Sequence, residues 1–452
     1  MGEDTDAQLA KDRDANLTRV NRQRGRAVFA SIAAAGLGIQ LLTVASGPLV
    51  ARMLGPDGRG QMVTVSVVAA LCSLLGMGGL PAAISHSVAK AGAPARDVLQ
   101  GYLRFWLMMS LIPSVAAAGL AVAFLDGSPG WPGLAAAAFV ITVLSVWFQL
   151  LAGMLRGEGD VRHINALKLS GVITYVGLIV AIFLIHRTDV AATLLFVYAV
   201  AQVIGLVVGW LRLQRPTGDG SVQVARSEVH RFARHSWVSG VSALDGLGVD
   251  HLLVGALLGQ TSLGLYAVAA SVTNLPLIVL AGVAAILLPR MATRSASSGI
   301  TMLRRWLLAT IALDFLIVLC LQAVIAPAIR ILFGSEFVPA TTSARILIVA
   351  WAFLALRRVL TAAAQAQGKA GRASTIEAVC MGILLVGVVL GVRFFGIEGA
   401  ALAMASTGAV SCLALALLVS WRAPFATETS SDYQDAGIAE VTAIDDSEPR
   451  LP

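Results

Sequence analysis

Charge is what this chain has least of. Only 13% of its 452 residues are Asp, Glu, Lys or Arg, against about 25% in an ordinary soluble domain. So little charge cannot solvate a large water-soluble body, and a mean hydropathy of +0.80 excludes a disordered chain and argues against a soluble enzyme. Cysteine is also scarce. Cys72, Cys320, Cys380 and Cys412 stand far apart, each inside an apolar run. They offer no disulfide framework, CxxC pair or metal spacing, and read as small buried hydrophobes. No nucleophile–base arrangement, phosphate-cradling glycine loop or metal-ligand cluster is visible, so neither catalysis nor a cofactor or metal is expected. A cleavable signal peptide is not expected either. The first 26 residues are polar, and the first apolar run is too long for a signal core.

What the chain has instead is long apolar runs. About 20 mostly apolar residues cross the hydrocarbon core of a membrane as a helix. About twelve such runs are present, near 27–50, 61–84, 105–125, 134–155, 164–185, 191–211, 236–259, 265–288, 305–327, 343–366, 373–393 and 398–421. The expected fold is therefore an all-α polytopic membrane protein. The net charge of +7 sits in short loops between these runs rather than on a nucleic-acid-binding face. Loops on one side hold about 22 Lys and Arg, among them Arg24, Arg26, Arg104, Arg162, Arg234 and Arg305; the other side holds about six, including Arg52, Arg59 and Arg187. The positive-inside rule then makes both termini cytoplasmic in a plasma membrane. Trp106, Trp131, Trp210, Trp237, Trp306 and Trp421 fall at span ends, where an aromatic belt is expected. Residues 1–26 form a cytoplasmic segment, 212–235 a basic linker suited to anionic lipid, and 422–452 an acidic tail read as disordered.

The chain repeats itself. Leu54-Gly55 with Gly60 returns 204 residues later as Leu258-Gly259 with Gly264. Leu80-Pro81 is matched by Leu288-Pro289, and Gly157 with Arg162 by Gly368 with Arg372, at offsets of 208 and about 211. Six spans per half give a parallel repeat, a 27–211 lobe and a 236–421 lobe. Such a pair rocks about a central site and opens it to either side in turn.

Polar residues at membrane depth are the candidate functional groups. Gly36, Gln40, Thr43 and Gly47 share one face of the first span; Ser239, Ser242, Gly246 and Asp250 share one face of the seventh. Each stripe is either a close-packing surface or a wet cavity wall. Arg357 and Arg358 lie about 14 residues, ~21 Å, from the outer end of the tenth span. They serve either as anion contacts in a cavity or as structural partners and snorkelling side chains. Asp245, Asp250 and Asp314 are the buried acids, fit for ion pairs with those arginines or for a coupling H+ or Na+ site; Glu377 is placed near an interface. The first six spans contain no acid at all. That asymmetry disfavours an exporter of cations.

Several short motifs resemble one family. They are Ala51-Arg52-Met53-Leu54-Gly55-Pro56 with Gly60, Gly79-Leu80-Pro81-Ala82-Ala83, Asp250-His251-Leu252-Leu253-Val254-Gly255 with Gly259, Gly264 and Tyr266, Leu288-Pro289-Arg290, Leu332-Phe333-Gly334, and Gly396-Ile397-Glu398-Gly399-Ala400. Together they resemble the polysaccharide-export, O-antigen-flippase-like branch of the multidrug/oligosaccharidyl-lipid/polysaccharide flippase superfamily. The family often carries Arg after the span-seven Asp, where this chain has His251. The resemblance implies a MATE-like V of two six-helix lobes and a substrate built as an oligosaccharide on polyprenyl pyrophosphate. It implies movement from inner to outer leaflet, with a polysaccharide polymerase and glycosyltransferases as partners. On that reading Arg357, Arg358, Gln40, Thr43 and Asp250 line the substrate cavity, and Asp245, Asp250 and Asp314 are ion-coupling candidates. The alternatives are a drug or cation exporter or a peptidoglycan-precursor flippase of the same superfamily, and a membrane component of a polysaccharide assembly complex. The Arg-over-Lys bias, 29 to 4, suits a bacterial source.

Overall fold

The computed structural model describes residues 3–91, 103–159, 161–185, 190–213, 233, 248–274 and 296–419, with the backbone alone for 3–35 and a few further positions. Among these residues there is no strand. Lipid offers no partner to a backbone amide, so each apolar run closes its own hydrogen bonds as a helix. Eleven α-helices are described: α1 (Glu3–Met77), α2 (Leu80–Ala91), α3 (Leu103–Leu125), α4 (Trp131–Gly157), α5 (Val161–Ile185), α6 (Ala191–Arg212), α7 (Val249–Leu258), α8 (Gln260–Thr273), α9 (Ala296–Leu332), α10 (Thr341–Ala366) and α11 (Ala370–Leu418). A 3-10 turn, Ser335–Ala340, joins α9 to α10. Eight helices among the described residues are long and apolar enough to span a membrane.

The breaks within this helical chain fall where the sequence repeats. α1 is interrupted at Gly55 (φ 64°, ψ −176°), and α7 is parted from α8 by Gly259 (φ 84°, ψ 176°). The two conformations are nearly the same, in a region where only glycine sits without strain. Each turn uses one residue. Pro56 follows Gly55 at the first helical position, where its missing N–H costs nothing. α11 is likewise divided at Gly396 (φ 58°). Its two parts run back along each other, since Gly391 and Gly399 each face the other's backbone too closely for a side chain. These breaks separate expected spans one from two, seven from eight, and eleven from twelve.

Some boundaries differ from expectation. The second helix of α1 starts at 56, not 61, because Pro56, Asp57 and Gly58 are helical rather than looped. It ends at Met77, turns at Gly78 (φ 54°) and continues as α2 to Ala91, beyond the expected 84. The linker at 212–235 is described only at its first two residues and at Ala233, and the tail at 422–452 lies outside the described residues. Trp106 is 1% exposed inside the N-terminal half, so it is a core residue and not part of a lipid-facing belt; Trp131 and Trp210 are exposed as a belt requires. Cys320 is exposed on α9, whereas Cys72, Cys380 and Cys412 are buried.

Each half has its own packing. In the N-terminal half α3 lies on α4 and α5 on α6, with α1 against α3, α4 and α5; in the C-terminal half α10 lies on α11 and α9, and α7 on α11. The halves meet mainly through the second part of α1 and α8. A Cβ on Gly60 would stand 1.9 Å from the Gln260 carbonyl oxygen, and one on Gly264 would stand 1.8 Å from the Pro56 carbonyl oxygen. Gly60 and Gly264 are 204 residues apart, as are Pro56 and Gln260. A contact in which i meets j and the equivalent of j meets the equivalent of i lies on a two-fold axis. Here that axis is internal to one chain.

Candidate functional site

Two polar groupings stand out, one inside the C-terminal half and one where the halves cross. The first begins with Asp250 in the opening turn of α7. Its Oδ2 accepts a hydrogen bond from the Tyr266 hydroxyl of α8 at 2.9 Å, and its Oδ1 lies 3.1 Å from His251 Nδ1. The His251 ring meets Tyr266 edge-on at 5.1 Å. Two side chains from two helices thus hold one carboxylate.

Across from it, Arg357 Nη1 of α10 lies 3.8 Å from Glu377 Oε1 of α11, and the Thr361 hydroxyl donates to the same oxygen at 3.1 Å. Arg357 and Thr361 are four residues apart, so one helix face presents both to Glu377. A buried ion pair is tolerated only when its remaining hydrogen-bonding capacity is met, and removing one partner is strongly unfavourable. Asp250, Arg357 and Glu377, with Thr407, Ser411 and Cys380, line a cavity of about 40 Å³. It has room for a few water molecules and none for a sugar. It is therefore a small chamber inside one half, with a few polar groups set among apolar side chains.

The other sequence candidates lie elsewhere. Arg358 is exposed on α10 and makes no hydrogen bond to a described residue, although the Glu377 carboxylate acts on it electrostatically. Asp314 of α9 is buried, does not line the chamber, and its Oδ1 has no partner among the described residues. Thr43 is exposed on α1, its hydroxyl bonded back to the Ile39 carbonyl at 2.8 Å. The Gln40 side chain and the whole of Asp245 lie outside the described residues. Glu377, expected near an interface, is the member that sequence reasoning did not join to Arg357. It sits seven residues into α11, ~10 Å from its start, deep enough to face Arg357. The signal available was the Arg357/Thr361 face, which needs an acceptor opposite.

The second grouping closes the crossing of α1 and α8. The Thr64 hydroxyl donates to Gln260 Oε1 at 2.8 Å, and Gln260 Nε2 donates to the Phe124 carbonyl at 3.3 Å. The Thr261 hydroxyl donates to Asp57 Oδ1 at 3.4 Å, another pair 204 residues apart. Arg52 Nε donates to the Leu332 carbonyl at 2.8 Å and its Nη2 to the Ile331 carbonyl, capping the end of α9. At this end of the molecule the halves are joined.

A two-lobed membrane bundle joined at one end by a pseudo-symmetric crossing defines a transporter-type fold, and solved structures agree. An inward-facing multidrug resistance MATE transporter of the MOP superfamily matches with a TM-score of 0.65 at 18% identity, over 86% of this chain and 98% of that one. The lipid II flippase MurJ in an inward closed conformation matches with a TM-score of 0.65 at 12% identity, over 86% and 87%. The sequence matches the family described as Polysaccharide biosynthesis protein over residues 26–294, more than half its length. The chain belongs to that family. It is also 26% identical over 387 residues to the probable low-salt glycan biosynthesis flippase Agl15 of Haloferax volcanii, covering 83% of this chain and 79% of that protein.

Proposed function

We propose that this multi-pass membrane protein moves a polyprenyl-pyrophosphate-linked oligosaccharide from the inner to the outer leaflet by alternating access. The two lobes at 27–211 and 236–421 rock about the α1–α8 crossing. The observation that carries this reading is the pseudo-two-fold contact of Gly60 with Gln260 and of Gly264 with Pro56. Tight backbone contact at one end, made by glycines in both repeats, suits a seal that opens as a unit. Loop charge supports an outer position for that end and a cytoplasmic one for both termini, and the Arg-over-Lys bias suits a bacterial plasma membrane. The membrane suits the cargo: the polyprenyl tail stays in lipid while sugars and phosphates cross between the lobes.

Arg358 is the candidate contact for the pyrophosphate. It is exposed and forms no ion pair with a described carboxylate, and guanidinium matches phosphate oxygens two at a time. Arg357 is committed to Glu377 and holds the chamber together. Asp250 and Asp314 are the candidates for binding a coupling H+ or Na+. The reading as a glycan flippase rather than a cation exporter draws on the family, on the kinship with the Agl15 flippase, and on the absence of acids from the first six spans. The test is translocation in reconstituted vesicles of a short-chain polyprenyl-pyrophosphate oligosaccharide, followed by accessibility to an external lectin. Wild type should expose the sugar, and Arg358→Ala should slow it at least tenfold at equal insertion. Equal rates with and without protein would reject the function. Equal rates for wild type and the variant would remove Arg358 from it.

A further inference from the structure

The end of α7 that carries Asp250 also touches the N-terminal half. Gly248 precedes the helix, and a Cβ built on it would stand 3.2 Å from Val67 Cγ2 of α1 and 3.5 Å from His251 Nδ1. Leu252 packs with Val68, Cys72 and Ala117 of the N-terminal half. His251 therefore stands where the Asp250 carboxylate on one side meets the α7–α1 contact on the other.

The hydrogen bonds fix how the imidazole can take up charge. An ionised carboxylate only accepts, so Nδ1 of the neutral ring carries the hydrogen in the 3.1 Å contact with Asp250. Nε2 is then the basic nitrogen. The His251 side chain is 18% exposed and that of Asp250 9%, so the imidazole is the more accessible of the two. Among the residues lining the chamber, Asp250 and Glu377 supply two carboxylates and Arg357 one guanidinium. With His251 neutral, one negative charge is left over, and an unbalanced charge at membrane depth is costly. One proton on Nε2 cancels it and makes an imidazolium–carboxylate pair.

A metal cation fits this arrangement less well. Hard cations gather several oxygen ligands, whereas both Asp250 oxygens already meet Tyr266 and His251. Arg357 in the chamber wall repels a second cation. No group of three His, Cys, Asp or Glu among the described residues is placed to hold a metal. The other charged or titratable groups around the pair are Tyr266 of α8, Arg357 of α10, and Glu377 and Cys380 of α11. From α1 come Val67 and, beside Leu252, Cys72.

We infer that the coupling ion is a proton, held on His251 Nε2 and paired with Asp250, and that its arrival and departure shift the contact between α7 and α1. The proton comes from water on one side of the membrane and returns to water on the other, and no bond within the protein breaks. What the proton drives rests on the flippase reading; that the pair binds it does not.

The test uses the full chain in lipid vesicles, spin-labelled at the exposed Thr193 and Val338 with the native cysteines replaced. Lowering the pH from about 8 to about 5 in sodium-free buffer should shift the distance distribution of the chain with native His251. Adding sodium at constant pH and ionic strength should not. His251→Gln should abolish the pH response. His251→Arg carries a charge that never leaves, and should show the low-pH distribution at both pH values. In the vesicle translocation assay, a gradient of one pH unit should change the rate by up to about tenfold in wild type and leave His251→Gln unchanged. Like distributions at both pH values, a sodium-induced shift equal to the pH shift, or a wild-type pH response in His251→Gln would each overturn the proton site. Should His251→Gln fail to fold, a wild-type pH response in His251→Arg overturns it instead. An absence of translocation under any gradient, with the pH response intact, rejects the flippase reading and leaves the proton site standing.

Discussion

Adding one methyl group at Gly60 should drive the halves apart. A Cβ there would stand 1.9 Å from the Gln260 carbonyl oxygen, against about 3.4 Å for ordinary contact, a shortfall of about 1.5 Å. The obstacle is backbone at the start of α8, so no side chain can swing away. Overpacking of this kind costs about 1–3 kcal/mol. Because only the joined state contains the contact, that cost shifts the balance towards the parted state by roughly 5–150-fold. Gly264→Ala should do the same, since its Cβ would meet the Pro56 carbonyl oxygen at 1.8 Å. The double variant should add little, because parting the helices once relieves both clashes. The assay is a pulsed electron spin distance measurement between labels at Thr193 and Val338, both exposed at the crossing end, with the four native cysteines replaced. Gly382→Ala is the control, since its Cβ would meet nothing within 4 Å. Distance distributions for Gly60→Ala and Gly264→Ala that match the control would refute the argument.

Other perturbations test the remaining parts. Glu377→Gln leaves Arg357 buried without its carboxylate and should cost about 3–5 kcal/mol in thermal unfolding, much of it regained by changing both residues to leucine. Arg52→Ala removes two bonds to the end of α9 and should populate the parted state less than Gly60→Ala does, read by the same spin labels. Asp250→Asn keeps its shape near Tyr266 but loses the charge; transport in vesicles should then stop responding to an imposed H+ or Na+ gradient while insertion stays normal.

Much of the fold was legible because it rests on features with a period. Apolar runs of span length, loop charge and the recurrence of Leu-Gly at 54 and 258 are local signals, and the matching turns at Gly55 and Gly259 are their direct consequence. The site was less legible because it depends on which way a side chain points. Arg357 and Arg358 are adjacent in sequence, yet a step of about 100° buries one against Glu377 and leaves the other exposed. Arg59 was counted with a loop because Pro56, Asp57 and Gly58 resemble turn chemistry. The turn takes Gly55 alone, and that difference moves Arg59 from a loop onto a helix, where it is half-buried. Tyr266 meets Asp250 from another helix, a contact that spacing within one helix cannot reveal.

The most direct test of the central claim is the leaflet position of the lipid-linked sugar in cells lacking this protein. Polyprenyl-pyrophosphate oligosaccharide should accumulate fully assembled on the cytoplasmic leaflet while surface polymer falls, and the wild-type gene should reverse both. Truncated or missing lipid-linked sugar would contradict translocation and point to assembly; normal lipids with new drug sensitivity would contradict it in favour of an exporter.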